Sequence, residues 1–211
     1  MFARLQLPIL LSVHLATIIV VGCGKQAGPP GSVSQHTVAE LPDYGKLPAF
    51  SLIDQNSRNF TENDLRGHRA IIDFIFTRCA AVCPRLTQEM AAVGKLTAST
   101  PDVLLISISI DPEYDTVDKL AAYAQRYKAD ASRWRFLTGD KATIRALQVQ
   151  TQRHLDPDEI SAHSKQFYLV DGDGYIRGVY SMVQPDRRDE IMADLSRLMK
   201  SPSRPQPIPE L

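Results

Sequence analysis

Ala70-Ile-Ile-Asp-Phe-Ile-Phe-Thr77, followed at once by Arg78-Cys79-Ala-Ala-Val-Cys83-Pro84, is the stretch on which the fold turns. Its nearly continuous apolar run, rich in β-branched and aromatic residues, reads as a central strand buried on both faces. Pro84 suits the first turn of a helix, where a missing N–H has no partner to lose. Leu86, Met90, Val93 and Leu96 then recur at helical spacing. The two cysteines therefore occupy a strand-to-helix turn. In open α/β sheets, sites gather at the carboxyl ends of strands. A helix N-terminus adds positive dipole and free N–H groups, which favour thiolate over thiol. Cys79 and Cys83 are expected to be reactive rather than inert structural thiols.

Outward from this stretch the pattern alternates. Phe50 to Ile53 and Asn59-Phe60 flank the polar turn Asp54 to Arg58, predicting a hairpin. Val103-Leu-Leu-Ile-Ser-Ile-Ser-Ile110 is a second buried strand. Thr116 is placed to cap a helix carrying Leu120, Tyr123, Ala124 and Tyr127 on one face. Trp134 to Leu137 reads as a third strand, and Ile144 and Leu147 mark a short helix. Gln166 to Val170 and Tyr175 to Tyr180 form a hairpin around Asp171-Gly-Asp-Gly174, and Ile191, Leu195 and Leu198 line a last helix. Strands alternating with helices imply a parallel core sheet covered by helices. With the closing hairpin and helix, the expectation is an α/β, thioredoxin-like fold with an added N-terminal β-hairpin, over residues 46–200.

The two ends read differently. Arg4 and the largely apolar run Leu7 to Val21 form a segment too short and too interrupted to span a bilayer convincingly. Val20-Val21-Gly22-Cys23 after it resembles a bacterial lipoprotein signal. Residues 1–22 are therefore expected to be a signal peptide, with Cys23 lipidated. Residues 23–45, rich in Gly, Pro, Ser and polar types, read as a flexible tether, and 201–211 as a proline-rich disordered tail. The domain is thus expected outside the cytoplasm, anchored by lipid to a bacterial membrane and facing the periplasm or cell exterior. Charge adds no competing partner. The chain has 24 basic and 24 acidic residues, and loss of the signal removes only Arg4, leaving 23 against 24. No basic field invites nucleic acid.

With Cys23 assigned to lipid, Cys79 and Cys83 remain, separated by three residues. So short a loop closes little chain entropy, so a bridge there would contribute little as a staple. Two close thiolates outside the cytoplasm either shuttle a disulfide or hold a soft metal, and thiolate and imidazole together suit copper. Of the five histidines, His14 leaves with the signal, His36 lies in the tether, His68 in a turn and His154 in a polar stretch. His163 stands just before the strand Gln166 to Val170. In a thioredoxin-like domain that loop packs beside the dithiol and carries a cis-proline. Here Ser161-Ala-His163-Ser164 fills it, which argues against ordinary disulfide exchange and offers a nitrogen ligand. Asp73, inside the central strand, is a candidate for proton handling. Asp111 and Asp115 point to the same end of the sheet, as helix-capping groups or as part of a partner surface. A thiol–disulfide reductase remains open as the alternative. A peroxiredoxin would need a threonine three residues before its cysteine, which positions 76 and 80 lack, and structural zinc lacks a fourth ligand.

Three blocks carry a family resemblance. Asp73 to Pro84 with Thr87, Ser109-Ile-Asp111-Pro-Glu-Tyr-Asp115-Thr116, and His163-Ser-Lys-Gln-Phe-Tyr168-Leu-Val-Asp171 resemble the motifs of Sco/SenC copper proteins. The resemblance spans the whole domain. It implies a copper chaperone acting in assembly of the copper centre of cytochrome c oxidase, with thiol–disulfide oxidoreductase activity left open. It implies one Cu(I) or Cu(II) per chain held by Cys79, Cys83 and His163. The implied partners are a copper-bearing oxidase subunit, other copper chaperones and thiol reductases. Because a disulfide cannot ligate copper as thiolates do, loading would require prior reduction of the Cys79–Cys83 pair.

Overall fold

The computed structural model describes residues 41–153, 155, 165–184 and 186–200. Within them a seven-stranded mixed sheet runs in the order β2-β1-β5-β4-β3-β6-β7. The strands are β1 Ser51–Asp54, β2 Asn59–Thr61, β3 Arg69–Ile75, β4 Val103–Ser109, β5 Trp134–Thr138, β6 Gln166–Val170 and β7 Ile176–Ser181. The helices are α1 Val82–Leu96, α2 Val117–Arg126, α3 Lys141–Gln152 and α4 Arg187–Lys200, with a 3-10 turn at Glu62–Leu65. The elements follow the order expected from the hydrophobic pattern.

The parallel trio β3, β4 and β5 is the reason for the buried runs. Ile71 pairs with Leu105, and Ile106 with Arg135, and β6 then adds antiparallel to β3. Successive crossovers in one direction put their helices on the same face. Accordingly Leu86, Met90 and Val93 of α1, and Leu120 and Tyr123 of α2, pack with Ile71 and Ile75 of β3. Ile191, Leu195 and Leu198 of α4 join them. The connection from β5 back to β6 crosses the other face, where Ile144 and Leu147 of α3 meet Ala70, Ile72 and Phe74. Each fully buried Leu, Ile or Phe contributes about 1.5–3 kcal/mol over its exposed state, so β3 is held from both sides.

Local chemistry sets the turns. The Asp54 carboxylate accepts from the N–H groups of Asn56 and Arg58 at 2.8 and 2.9 Å, closing the β1–β2 hairpin. Asp171 does the same for Asp173 and Tyr175 at 3.0 and 2.9 Å between β6 and β7. Asp140 caps α3, accepting from Thr143 N at 2.7 Å. Residues 41–45, assigned by composition to the tether, are tied to β7. Tyr44 N donates to the Ile176 carbonyl, Ile176 N donates to that of Gly45, and Leu41 is buried in the core.

Gly178 in β7 is a position where only hydrogen fits. A Cβ there would meet the ring and hydroxyl of Tyr180, which donates to Asp194 Oδ2 of α4 at 2.9 Å. Gly178→Ala is expected to displace that ring and cost about 1–3 kcal/mol, read as a lowered midpoint in chemical denaturation. An unchanged midpoint would show that the ring moves freely.

Candidate metal centre

Cys79 follows β3 in a short loop, and Cys83 is the second residue of α1, with Pro84 next to it in the first turn. The structure thus brings both cysteines to the carboxyl end of the parallel strands, both as free thiols. Cys79 is half-buried and Cys83 is 2 % exposed. The Cys83 N–H points at Cys79 Sγ, 3.4 Å away.

The two sulfurs live in different fields. Burial pushes the Cys79 thiol up, but the N–H groups of Cys83, Ala81 and Val82 at the start of α1 outweigh it, and the net shift is downward. Cys83 lacks that balance: burial pushes its thiol up to about 12, reinforced by Cys79 and by the charge of Asp73. One sulfur is set up as a half-buried thiolate within a partner's reach and the other as a shielded thiol.

Asp73 lies on the β3 face that carries Ile71 and Ile75, beneath α1 and Cys83, and is fully buried. Neither carboxyl oxygen has a well-formed hydrogen bond among the described residues. Burial raises its pKa to about 7, and the Ser107 hydroxyl, its register partner on β4, only moderates the shift. An acid placed so is half-protonated near neutral pH, the condition for exchanging protons with a neighbouring thiol.

Asp115 lies at the same end but does not cap α2. Thr116 occupies the N-cap position without a side-chain bond, and the Asp115 carboxylate turns inward to Thr77 and Ser109. Asp111 forms an ion pair with Arg78 at 2.7 Å, and the Arg78 guanidinium lies 4.7 Å from the centroid of the Tyr114 ring. Arg78 and Tyr114 thus border Cys79 on the surface. Behind Cys83, the Thr87 hydroxyl donates to the Cys83 carbonyl at 2.8 Å and contacts Tyr123 OH at 2.9 Å. The sequence pattern marked Tyr123 only as core. Thr77, Ser109 and Arg78 carried no signal beyond their place in the motif.

The histidines divide. His68 precedes β3 at the end opposite the cysteines, and seven strand residues separate those ends by about 20 Å, so it is no partner for them. His154, His163 and Cys23 lie outside the described residues. Among the described residues no set of three His, Cys, Asp or Glu side chains is grouped to hold a metal. What those residues bring together at the cysteine end is the pair of sulfurs. No helix among them is long and apolar enough to cross a membrane.

Comparison with known proteins agrees with this geometry. The family model described as SCO1/SenC matches residues 40–200. A SCO1 protein homolog of Bacillus subtilis is 31% identical over 192 residues, covering 88% of this chain and 93% of its own. A solved structure of BsSco, described as a member of the Sco family of cytochrome c oxidase assembly proteins with a disulfide switch, is 30% identical. It covers 75% of this chain and 95% of its own, with a TM-score of 0.66. Bradyrhizobium japonicum ScoI, solved with copper bound, is 29% identical over 73% of this chain and 99% of its own, with a TM-score of 0.56. The fold is thioredoxin-like.

Proposed function

Because this chain belongs to the SCO1/SenC family, we propose that it is an extracytoplasmic copper chaperone of oxidase assembly, carrying one copper on Cys79, Cys83 and His163. The observation that carries the reading is the free, unequal thiol pair at the mouth of α1. Two soft sulfur donors suit Cu(I), and an added imidazole lets the same site hold Cu(II). With Cu(I), two thiolates and a neutral imidazole leave a net charge of −1, which the N–H groups at the start of α1 offset.

The β3–β6 register supports His163 as the third ligand. Ile72 pairs with Tyr168, and continuing that antiparallel register brings Gln166 level with Phe74, near the end of β3. His163 is three residues before Gln166 in the sequence, within about 10 Å of chain from it. Asp73 then serves as the proton acceptor for Cys83. Ligating thiols must lose their protons, so metal loading releases them, and a half-protonated carboxyl beneath Cys83 is where such a proton can go.

The signal at residues 1–22, lipidation at Cys23 and the segment up to residue 40 would hold the domain close to a membrane. A tether of that kind raises the effective concentration of copper donor near a membrane-bound acceptor. The acceptor is the copper-bearing subunit of the oxidase.

A second reading, a thiol–disulfide reductase acting on such a partner, draws on one observation: a reachable thiol of lowered pKa paired with a shielded one is what disulfide exchange requires. Titration of the reduced chain with Cu(I) separates the two. One-to-one binding that weakens about 100-fold or more in His163→Ala supports the three-ligand site, since losing a ligand should exceed the 10–100-fold typical of losing a group that only hydrogen-bonds to a ligand. Equal affinity in the variant would sink it.

A further inference from the structure

We propose that Asp115 is a positioning residue that sets the Cys79 loop in place before copper arrives, an inference that rests on the copper site described under the proposed function. Asp115 is fully buried, in the connection between β4 and α2. Its Oδ1 accepts from Thr77 Oγ1 at 2.5 Å, and its Oδ2 accepts from Thr77 N at 3.0 Å and from Ser109 Oγ at 2.6 Å. Thr77 is two residues before Cys79 and Ser109 is the last residue of β4. One carboxylate therefore clasps the departing end of β3 to the end of β4, at the point where the chain leaves the sheet to present its first sulfur.

The clasp is anchored from below. Ile110 N donates to the Ile75 carbonyl at 2.9 Å, Asp111 N donates to Ser109 Oγ at 3.1 Å, and Asp115 N donates to the Asp111 carbonyl at 2.8 Å. The 111–115 turn is thereby a rigid bracket, and its only buried charge is aimed at the cysteine loop. Hydrogen bonds to an ionised group are about twice as strong as neutral ones, and a buried carboxylate that lost them would be costly to keep.

Position gives the argument its force. Asp115 precedes the N-cap residue of α2, where an acidic side chain ordinarily turns to the helix dipole, and that cap lacks any side-chain bond. The carboxylate is committed to Thr77 instead. Downstream, Cys79 N donates to the Phe76 carbonyl at 3.2 Å and Cys79 Sγ receives the Cys83 N–H at 3.4 Å. Thr77 lies inside the turn that the Phe76–Cys79 bond closes, so a fixed Thr77 fixes the turn that carries the first sulfur. A loop held this way need not be ordered by the metal, so binding is not charged with that entropy.

The test compares Asp115→Asn, Thr77→Val and Thr77→Ser in the full, reduced chain with Leu195→Ala, a core truncation in α4 that lowers stability away from the site. Asp115→Asn and Thr77→Val are expected to weaken Cu(I) at least about 10-fold, the size of an outer-shell loss, and to alter the thiolate-to-Cu(II) absorption band per bound copper. Thr77→Ser, which keeps the hydroxyl, and Leu195→Ala should retain the parent band. In the metal-free chain, amide exchange at Cys79 should quicken in the first two variants only. Unchanged affinity and band in Asp115→Asn and Thr77→Val would overturn the proposal, as would equal losses in Leu195→Ala. Should the parent bind no copper, the chaperone reading fails by itself and Cys79 exchange alone decides the clasp, a rate unchanged from parent in Asp115→Asn rejecting it.

Discussion

Cys83→Ser is expected to abolish tight copper binding and, at the same time, to convert Cys79 into a trap for partner disulfides, whose other sulfur leaves as a thiolate. Both outcomes follow from the inequality of the two sulfurs. Cys79 is half-buried, its thiol lowered by the N–H groups at the start of α1, so it is the sulfur that a partner can reach. Cys83 is 2 % exposed and pushed up to about 12, so it stays protonated until something draws its proton away. A copper ion can do that. A mixed disulfide on Cys79 removes the neighbouring thiolate that helps hold the Cys83 proton; with that proton passed to Asp73, Cys83 attacks Cys79 Sγ intramolecularly, forming the Cys79–Cys83 disulfide and releasing the partner as a thiolate. With serine at 83, a partner disulfide formed on Cys79 has no resolving thiol and persists. Cys79→Ser leaves only the shielded thiol, and should neither bind copper tightly nor trap a partner. The measurement is Cu(I) competition with a chromophoric chelator, beside mass spectrometry of mixed disulfides with a small disulfide probe. Copper loss in both variants, expected at more than about 100-fold, supports the two-sulfur site. Undiminished copper in Cys83→Ser would place the metal elsewhere, and trapping by Cys79→Ser in preference to Cys83→Ser would reverse the assignment of the outer sulfur.

Much of this was legible in the chain, and the reasons are physical. β3 and β4 are buried on both faces, so their sequences are short, nearly continuous apolar runs whose length and β-branched content favour strand over buried helix. The strand-to-helix turn containing both cysteines followed from Pro84, whose geometry suits the first turn of α1. Asp115 was less legible. An acid beside a threonine at the start of a helix signals a cap, and nothing local says that the side chain will turn to Thr77, 38 residues away in sequence. The same holds for Tyr123: helical spacing shows that it faces the core, but the hydrogen bond to Thr87 depends on how α1 and α2 pack. The beginning of the domain was misjudged by composition for a related reason. Tyr44 and Gly45 sit in a polar, turn-type stretch, yet their backbone groups pair with Ile176 of β7, and backbone pairing leaves little trace in side-chain composition. Periodicity reports burial, and long-range polar contacts lie outside what it can report.

Asp73→Asn is expected to flatten the pH dependence of stability between about pH 4 and pH 7. The carboxyl has a pKa of about 7 in the folded chain because burial penalises its charged form more than the Ser107 hydroxyl favours it, with no well-formed hydrogen bond among the described residues, whereas an unfolded aspartate titrates near about 3.9. Between those values the folded chain holds a proton that the unfolded chain has released. Stability therefore falls as pH rises through that window and levels off above it. Three pKa units correspond to about 4 kcal/mol, large against the roughly 5–15 kcal/mol that holds a domain folded. The asparagine variant carries a constant cost for its buried amide but no titration, so the difference between parent and variant should change by about that amount from pH 4 to pH 8. Urea denaturation of the metal-free, reduced chain across that range measures it, and parallel curves would mean that Asp73 does not titrate there. The same burial also bears on function. An acid that is costly to ionise favours any state in which it keeps or takes a proton, and loading copper on Cys83 releases one directly above it. In Asp73→Asn that receptor is gone, so copper loading near neutral pH should slow while the final stoichiometry stays at one. A loading rate equal to the parent's would leave Asp73 as a buried acid with no part in the chemistry of the sulfur above it.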